Sequence, residues 1–218
     1  MIKTEDWGII PYKEAWNKQE EIFNSIITAK LNHEDYTNYI ISLEHTHVYT
    51  IGRSGKDSNL LVNKDFLDRI GATLFHSDRG GDITYHGPGQ LVCYPIINLE
   101  EFGLGLRDYI YILEESVIEV CDIFGIKASR IKSATGVWIG VESMRERKIC
   151  AIGVRCSHFV TMHGLAFNIS TDLNYFNYIN PCGFTNKGVT SLQQEIGTSI
   201  SVNEVTDILI NKIVKNIS

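Results

Sequence analysis

A single α/β or α+β domain is the fold class that the sequence predicts. Strand-like apolar segments are mixed with amphipathic helices along the chain. The 218 residues are enough for one large domain with a sizeable core. No internal repeat, low-complexity run or linker divides them. Hydrophobic content of 44% and charge of 21% place the chain among ordinary soluble globular proteins.

The elements follow in order. Trp7 to Pro11 reads as an opening strand. Tyr12 to Leu31 reads as a helix, because Ala15, Gln19, Ile22, Phe23, Ile26 and Ile27 recur at helical spacing. A strand is expected at Tyr39 to Leu43, a short helix at Asn63 to Ile70 ended by Gly71, and a strand at Ala72 to His76. Leu91 to Ile97 is an apolar strand. Arg107 to Phe124 is the clearest helix: Tyr109, Ile112, Leu113, Val117, Val120 and Phe124 form one core-facing stripe, and Gly125 supplies the stop. Gly136 to Val141 and Ile149 to Val154 make a β-hairpin around the polar turn from Glu142 to Arg147. Thr161 to Ile169 is another strand. Asp172 caps a short helix through Ile179. Capping-box patterns at Ser191 and Ser201 start two more helices, the last running through Val214.

The most unusual stretch is Arg79-Gly80-Gly81-Asp82-Ile83-Thr84-Tyr85-His86-Gly87-Pro88-Gly89-Gln90. Four of its twelve residues are glycine, and between them stand side chains able to hydrogen-bond. A plain turn needs fewer such residues, and segments of this kind on a rigid sheet often carry binding sites. It matches neither of the glycine-rich phosphate fingerprints. In the hairpin, alternation puts Lys148 on one face with Cys150, Ile152, Val154 and Cys156. Two readings of Lys148 stay open: a partly desolvated lysine, or the end of a charged turn. His45-x-His47 is read as hydrogen-bonded or exposed histidines rather than metal ligands, since no further ligand is evident nearby.

The net charge of −6 argues against general nucleic-acid binding. Within Lys127 to Arg155, however, seven basic residues meet two acidic ones, and this local +5 is a candidate docking face for an acidic partner. The cysteines are Cys93, Cys121, Cys150, Cys156 and Cys182. With an odd count and no C-x-x-C pair, a reducing, cytoplasmic setting fits better than disulfides or zinc. Cys121, Cys150 and Cys156 are expected to pack, whereas Pro181 and Gly183 set Cys182 in a tight turn suited to an exposed thiol. No apolar run reaches membrane-spanning length, and the first residues resemble neither a signal peptide nor a transit sequence.

The Arg79–Gln90 stretch closely resembles the signature of the lipoyl(octanoyl) transferases, the lipoate-protein ligase B family. The likeness continues in Lys148-Ile149-Cys150-Ala151-Ile152-Gly153-Val154-Arg155, in His163-Gly164-Leu165-Ala166-Phe167-Asn168, in Asn180-Pro181-Cys182-Gly183 and in Val189-Thr190-Ser191-Leu192. Thr46-His47 departs from the Pro-Pro found in many relatives. The resemblance implies an α+β fold similar to the biotin and lipoate ligases, a mixed β-sheet flanked by helices, as one catalytic domain over residues 1–218. It implies transfer of an octanoyl group from octanoyl-acyl carrier protein to a lysine of lipoyl domains of 2-oxoacid dehydrogenase complexes or of glycine-cleavage H protein, the first step of lipoate synthesis. It assigns the acyl-thioester nucleophile to Cys182 and its activating partner to Lys148. It places substrate binding on Arg79, Gly80, Gly81, Asp82, Ile83, Thr84, Tyr85 and His86, on Ala151, Ile152 and Gly153, and on Gly164, Leu165 and Ala166, with His163 in support. No cofactor and no metal are implied. Tyr85, Leu91, Ile152 and Leu165 are candidates for the wall of an acyl tunnel. The alternatives are an ATP-dependent lipoate ligase, an amidotransferase between proteins, and a catalytically silent module that binds acyl carriers.

Overall fold

The structure, a computed structural model, describes residues 2–132, 134–143, 145–180 and 187–218. The elements in chain order are β1 (Ile2–Ile10), α1 (Tyr12–Asn32), β2 (Asn38–His45), β3 (Val48–Ile51), α2 (Lys64–Arg69), β4 (Thr73–His76), β5 (Ile83–His86), β6 (Gln90–Ile96), α3 (Leu106–Ile123), β7 (Ala128–Ile131), β8 (Ala134–Ile139), β9 (Arg147–Ser157), β10 (Val160–Asn168), β11 (Gly188–Val189), α4 (Leu192–Ile196) and α5 (Val202–Ile217). The large mixed sheet has the order β1-β2-β6-β10-β9-β8-β7, with β11 added to β9 in parallel. A small sheet has the order β4-β3-β5. This is the expected mixed sheet flanked by helices.

The central strands are covered on both faces, so they read as unbroken apolar runs. Along β6, Leu91 and Cys93 enter one core, whereas Val92 and Tyr94 enter the other. The first core packs α3 and α5 on the sheet through Tyr109, Leu113, Val117, Val205 and Leu209. The second packs α1 through Ala15, Phe23 and Ile26. The last helix begins on a complete capping box: Ser201 accepts from the Glu204 N–H, and the Glu204 carboxylate accepts from the Ser201 N–H. Asp172 caps as expected, but the turn it starts, Leu173–Tyr178, is a 3₁₀ helix.

Several elements differ from expectation. β1 begins at Ile2, not Trp7. It is an edge strand carrying Lys3, Glu5 and Asp6, and charge on an edge hides the apolar pattern. The glycine-rich stretch is not all loop, since Ile83–His86 forms β5 of the small sheet. β9 and β10 form a long hairpin turned by His158 and Phe159 at φ 51° and 62°. That left-handed pair is the turn usually made by Asn-Gly.

Candidate active site

Two adjacent chambers that share part of their lining lie beside β9 and the glycine-rich stretch. The larger holds about 510 Å³ and is lined among others by Asp82, Ile83, Trp138, Lys148, Asn180 and Lys187. The narrower holds about 40 Å³ and is lined by Tyr12, His86, Tyr94, His163, Gly164 and Leu165 among others. Arg79, Thr84, Ala151, Ile152 and Ala166 line both, so they form the neck between them. A cavity of this size, mostly apolar at its narrow end and carrying a few polar groups, suits a small acyl ligand.

The neck exists because a loop lies directly on a strand. The Gly80 N–H donates to the Val154 carbonyl at 3.0 Å. A Cβ on Gly153 would sit 2.6 Å from the Gly80 carbonyl oxygen, so this approach requires glycine. Arg79 pins the loop from beneath. It is buried, and its guanidinium donates to the Thr50 carbonyl at 2.7 Å, the Thr50 hydroxyl at 2.9 Å, the Gly80 carbonyl at 3.0 Å and the Asp82 carbonyl at 2.7 Å. Its planar fork satisfies several backbone acceptors at once. The Asp82 carboxylate accepts from Asn59 Nδ2 at 2.8 Å and from the Ile83 N–H at 2.6 Å.

Lys148 lies in the larger chamber. Its ammonium donates to the Thr135 carbonyl at 3.1 Å and sits 4.7 Å from the centre of the buried Trp138 ring. Lys187 approaches the same ring at 5.1 Å. Two ammonium groups therefore share one indole, an arrangement in which each cation meets the negative face of the ring. The face expected for Lys148 is corrected. The β8–β9 register shifts between Val137 and Trp138, which pair with Cys150 and Lys148, leaving Ile149 as the extra residue of a bulge. Ile149 and Cys150 both enter the main core, while Lys148 lines the chamber. Bulges re-aim side chains in this way, and strict alternation does not anticipate them.

The narrow chamber is walled by pinned rings. The Tyr12 hydroxyl donates to Ser77 Oγ at 2.8 Å. His45 Nδ1 lies 2.9 Å from the Ile10 carbonyl, which only accepts; this leaves Nε2 to accept from the Tyr94 hydroxyl at 2.7 Å. His86 Nδ1 donates to Gln90 Oε1 at 2.7 Å, and Gln90 Nε2 donates to Asn168 Oδ1 at 2.9 Å. Burial drives His86 well below the ordinary histidine value and His45 down to about 4, so both are neutral. His163, at φ 61°, is held by Gln19 Oε1 on its N–H and donates through Nε2 to Asp78 at 2.7 Å. Burial lowers His163 against the opposing pull of Asp78. For Asp78 itself burial works upward, but the hydrogen bond from His163 and the ion pair with Arg155 outweigh it.

Thirteen of the expected site residues thus line the two chambers: Arg79, Gly81, Asp82, Ile83, Thr84, His86, Lys148, Ala151, Ile152, Gly153, Gly164, Leu165 and Ala166, with His163 beside them. Gly80 acts through its backbone on β9. Tyr85 lines neither chamber. Its ring is buried in the small core beside Tyr49 and Ile51, and its hydroxyl meets His47 Nδ1 at 2.7 Å. Leu91 is likewise in the main core and not in a chamber wall. Two of the four proposed wall residues, Ile152 and Leu165, do line the narrow chamber. Cys182 lies outside the described residues, between Asn180 and Lys187, both of which line the larger chamber. Sequence reasoning missed Tyr12, Trp138, Tyr94 and Lys187. Tyr12 opens the buried face of the amphipathic α1 and Tyr94 sits inside the apolar β6, where nothing marks them apart from core residues.

The local +5 is also corrected. Lys127 pairs with Glu142, Arg130 with Glu114 and Glu115, Arg147 with Glu195, and Arg155 with Asp78. All of these acids but Glu142 come from outside the segment, so the count along the chain overstates the charge on the surface. Among the described residues, no group of three or more His, Cys, Asp or Glu is placed to hold a metal ion. None of their helices is long and apolar enough to cross a membrane.

Residues 11–214 match the family model of the lipoyl protein ligase A/B catalytic domain. The chain belongs to this family. It is 63% identical over 204 residues to an octanoyltransferase of Bacteroides fragilis, covering 94% of this chain and 92% of that one. An octanoyltransferase of Flavobacterium johnsoniae is 45% identical, with 100% of this chain and 95% of that one covered. Its relatives by sequence are thus acyltransferases, and the family's catalytic chemistry is enzymatic. Among solved structures, the bipartite lipoate protein ligase of Thermoplasma acidophilum superposes with a TM-score of 0.69 at 18% identity, covering 99% of this chain and 84% of that one. This last likeness concerns the fold.

Proposed function

We propose that the protein transfers an octanoyl group from octanoyl-acyl carrier protein to a lysine of lipoyl domains or of glycine-cleavage H protein, through a thioester on Cys182 and without ATP. The observation that carries the reading is the placement of Lys148 in a chamber whose lining includes Asn180 and Lys187, the residues on either side of the segment that holds Cys182. Cys182 is two residues from Asn180, a reach of about 7 Å of chain. The other four cysteines make poor nucleophiles. Burial pushes the thiols of Cys93 and Cys121 up to about 12, that of Cys150 well up, and that of Cys156 upward, and only the thiolate attacks. The names of the sequence relatives supply octanoyl as the group moved.

In this mechanism the resting pair is a Cys182 thiolate beside the Lys148 ammonium, with the thiol's proton already on the amine and the positive charge stabilising the thiolate. The thiolate attacks the donor's thioester carbonyl; the carrier thiol leaves and takes the proton back from Lys148. The acyl-enzyme is then attacked by the acceptor lysine amine, whose proton passes to Lys148 as the Cys182 thiolate departs. The first step exchanges one thioester for another, and amide formation drives the second. The deciding experiment mixes the protein with octanoyl-acyl carrier protein, without ATP, and records intact mass beside Cys182→Ser. An octanoyl adduct on the wild type alone is expected. Activity that appears only with ATP and free octanoate or lipoate would instead make the protein a ligase.

A further inference from the structure

We infer that Tyr12 and Tyr94 form the end stop of the acyl pocket and set the longest chain the enzyme accepts. This rests on the proposed octanoyl transfer and deepens it. The order of the chambers carries the argument. Lys148 lines only the larger one, Tyr12 and Tyr94 line only the narrow one, and the neck lies between. An acyl group whose carbonyl is at the Lys148 end therefore points its methyl end toward the two tyrosines. An extended octanoyl chain spans about 9 Å from carbonyl to methyl at ordinary bond lengths and angles. From Lys148 to Gly153, which lines the narrow chamber, the strand covers about 17 Å, so an octanoyl chain reaches toward the two tyrosines without passing them. The narrow chamber's 40 Å³ is room for about three water-sized spheres, enough for a chain terminus and not for further methylenes.

The wall is rigid as well as close. Tyr12 and Tyr94 are buried, at 2% and 4% exposure, and come from different elements, α1 and β6. Each hydroxyl is hydrogen-bonded away, to Ser77 and to His45. What faces the chamber is ring surface, which is apolar. The Tyr12 ring also lies parallel to His86, with 6.2 Å between centroids, and Tyr94 meets His163 edge-on at 6.3 Å. A wall of leucine or methionine would adapt to a longer ligand. Rings fixed by both packing and hydrogen bonds cannot turn aside without losing a buried bond.

The test measures kcat/KM with hexanoyl-, octanoyl-, decanoyl- and dodecanoyl-carrier protein for the wild type, Tyr94→Val and Tyr12→Leu. The wild type should fall off where the chain meets the two tyrosines, between octanoyl and dodecanoyl. Each opened variant should raise the decanoyl-to-octanoyl ratio by about 15-fold, the gain from newly burying two methylenes. Val92→Phe, which fills the same chamber, should move the preference toward hexanoyl. The two tyrosines stand on separate elements, so one unstable variant leaves the other as the test. A wild type that takes octanoyl, with ratios that do not move in any folded variant, overturns the end stop alone. A wild type that takes none of the four chains overturns the transferase reading and the end stop with it.

Discussion

Gly153→Ala should separate activity from stability. The new Cβ would stand 2.6 Å from the Gly80 carbonyl oxygen, against the 3.4 Å at which ordinary contact begins, so the loop must retreat by about 0.8 Å (3.4 less 2.6). The Gly80 N–H to Val154 bond, now 3.0 Å, is thereby stretched past useful length. Losing it costs about 1 kcal/mol, which for a chain of this size lowers Tm by about 2–4 °C. The catalytic effect is larger, because the same retreat displaces Arg79 and the neck that aligns the acyl chain. A misplacement near 1 Å costs about 100-fold in rate. Octanoyl transfer to a lipoyl domain, followed by intact mass, gives kcat/KM; a thermal melt gives Tm. A variant that keeps kcat/KM to within about threefold of wild type would refute the claim that the loop–strand contact positions the substrate. So would a variant that loses activity only by unfolding.

Lys148→Ala should slow acylation by about 10²–10⁴-fold while leaving Tm within a degree or two of wild type, and native-rate acylation in single-turnover mass spectra would remove Lys148 from the mechanism. Arg147→Ala leaves the Glu195 carboxylate, only 12% exposed, without its guanidinium partner and should cost about 1–3 kcal/mol in urea unfolding; an unchanged midpoint would show that pair to be idle. Charge reversal at Arg147 should for the same reason act mainly on stability and not on association with the carrier, which surface plasmon resonance across a salt series can separate. His45 is neutral when folded, with its pKa lowered by burial from 6.5 to about 4. A group whose folded pKa is depressed contributes stability that is present above the unfolded pKa and lost as pH falls toward the folded one. Stability should therefore drop by about 2 kcal/mol from pH 7.5 to 5, with His86 adding in the same direction, and equal urea midpoints at those two pH values would contradict it.

The elements legible in the sequence are those whose burial is one-sided or complete. The stripe from Tyr109 to Phe124 forecast α3 because every fourth-residue contact falls on one core. The Ser201 box forecast the start of α5 because capping is local chemistry. β1 was legible only at its end, since its charged edge positions answer to solvent and not to a core. The β9–β10 turn was hidden for another reason. His158 and Phe159 adopt positive φ without being Gly or Asn, so the hairpin's length and cross-strand pairing enforce a conformation that neither residue type announces.

The site divides along the same line. The glycine-rich stretch and the Lys148 segment stood out because close backbone approach demands glycine, and demand for a residue type leaves a mark on the sequence. The tyrosine wall leaves none. Tyr94 serves the second core and the narrow chamber with the same ring, and alternation along β6 accounts for it without any ligand. Trp138 is similar: its buried indole donates to the Ala134 carbonyl at 3.0 Å and reads as a packed strand residue. Only the register shift at Ile149 reveals its second role, because it turns the Lys148 side chain onto the ring while Cys150 stays in the core. In this fold the residues that make contact with the backbone of the loop are written in glycine. Those that shape the space beside it are written in the same alphabet as the core, and their function appears only when the strands are paired.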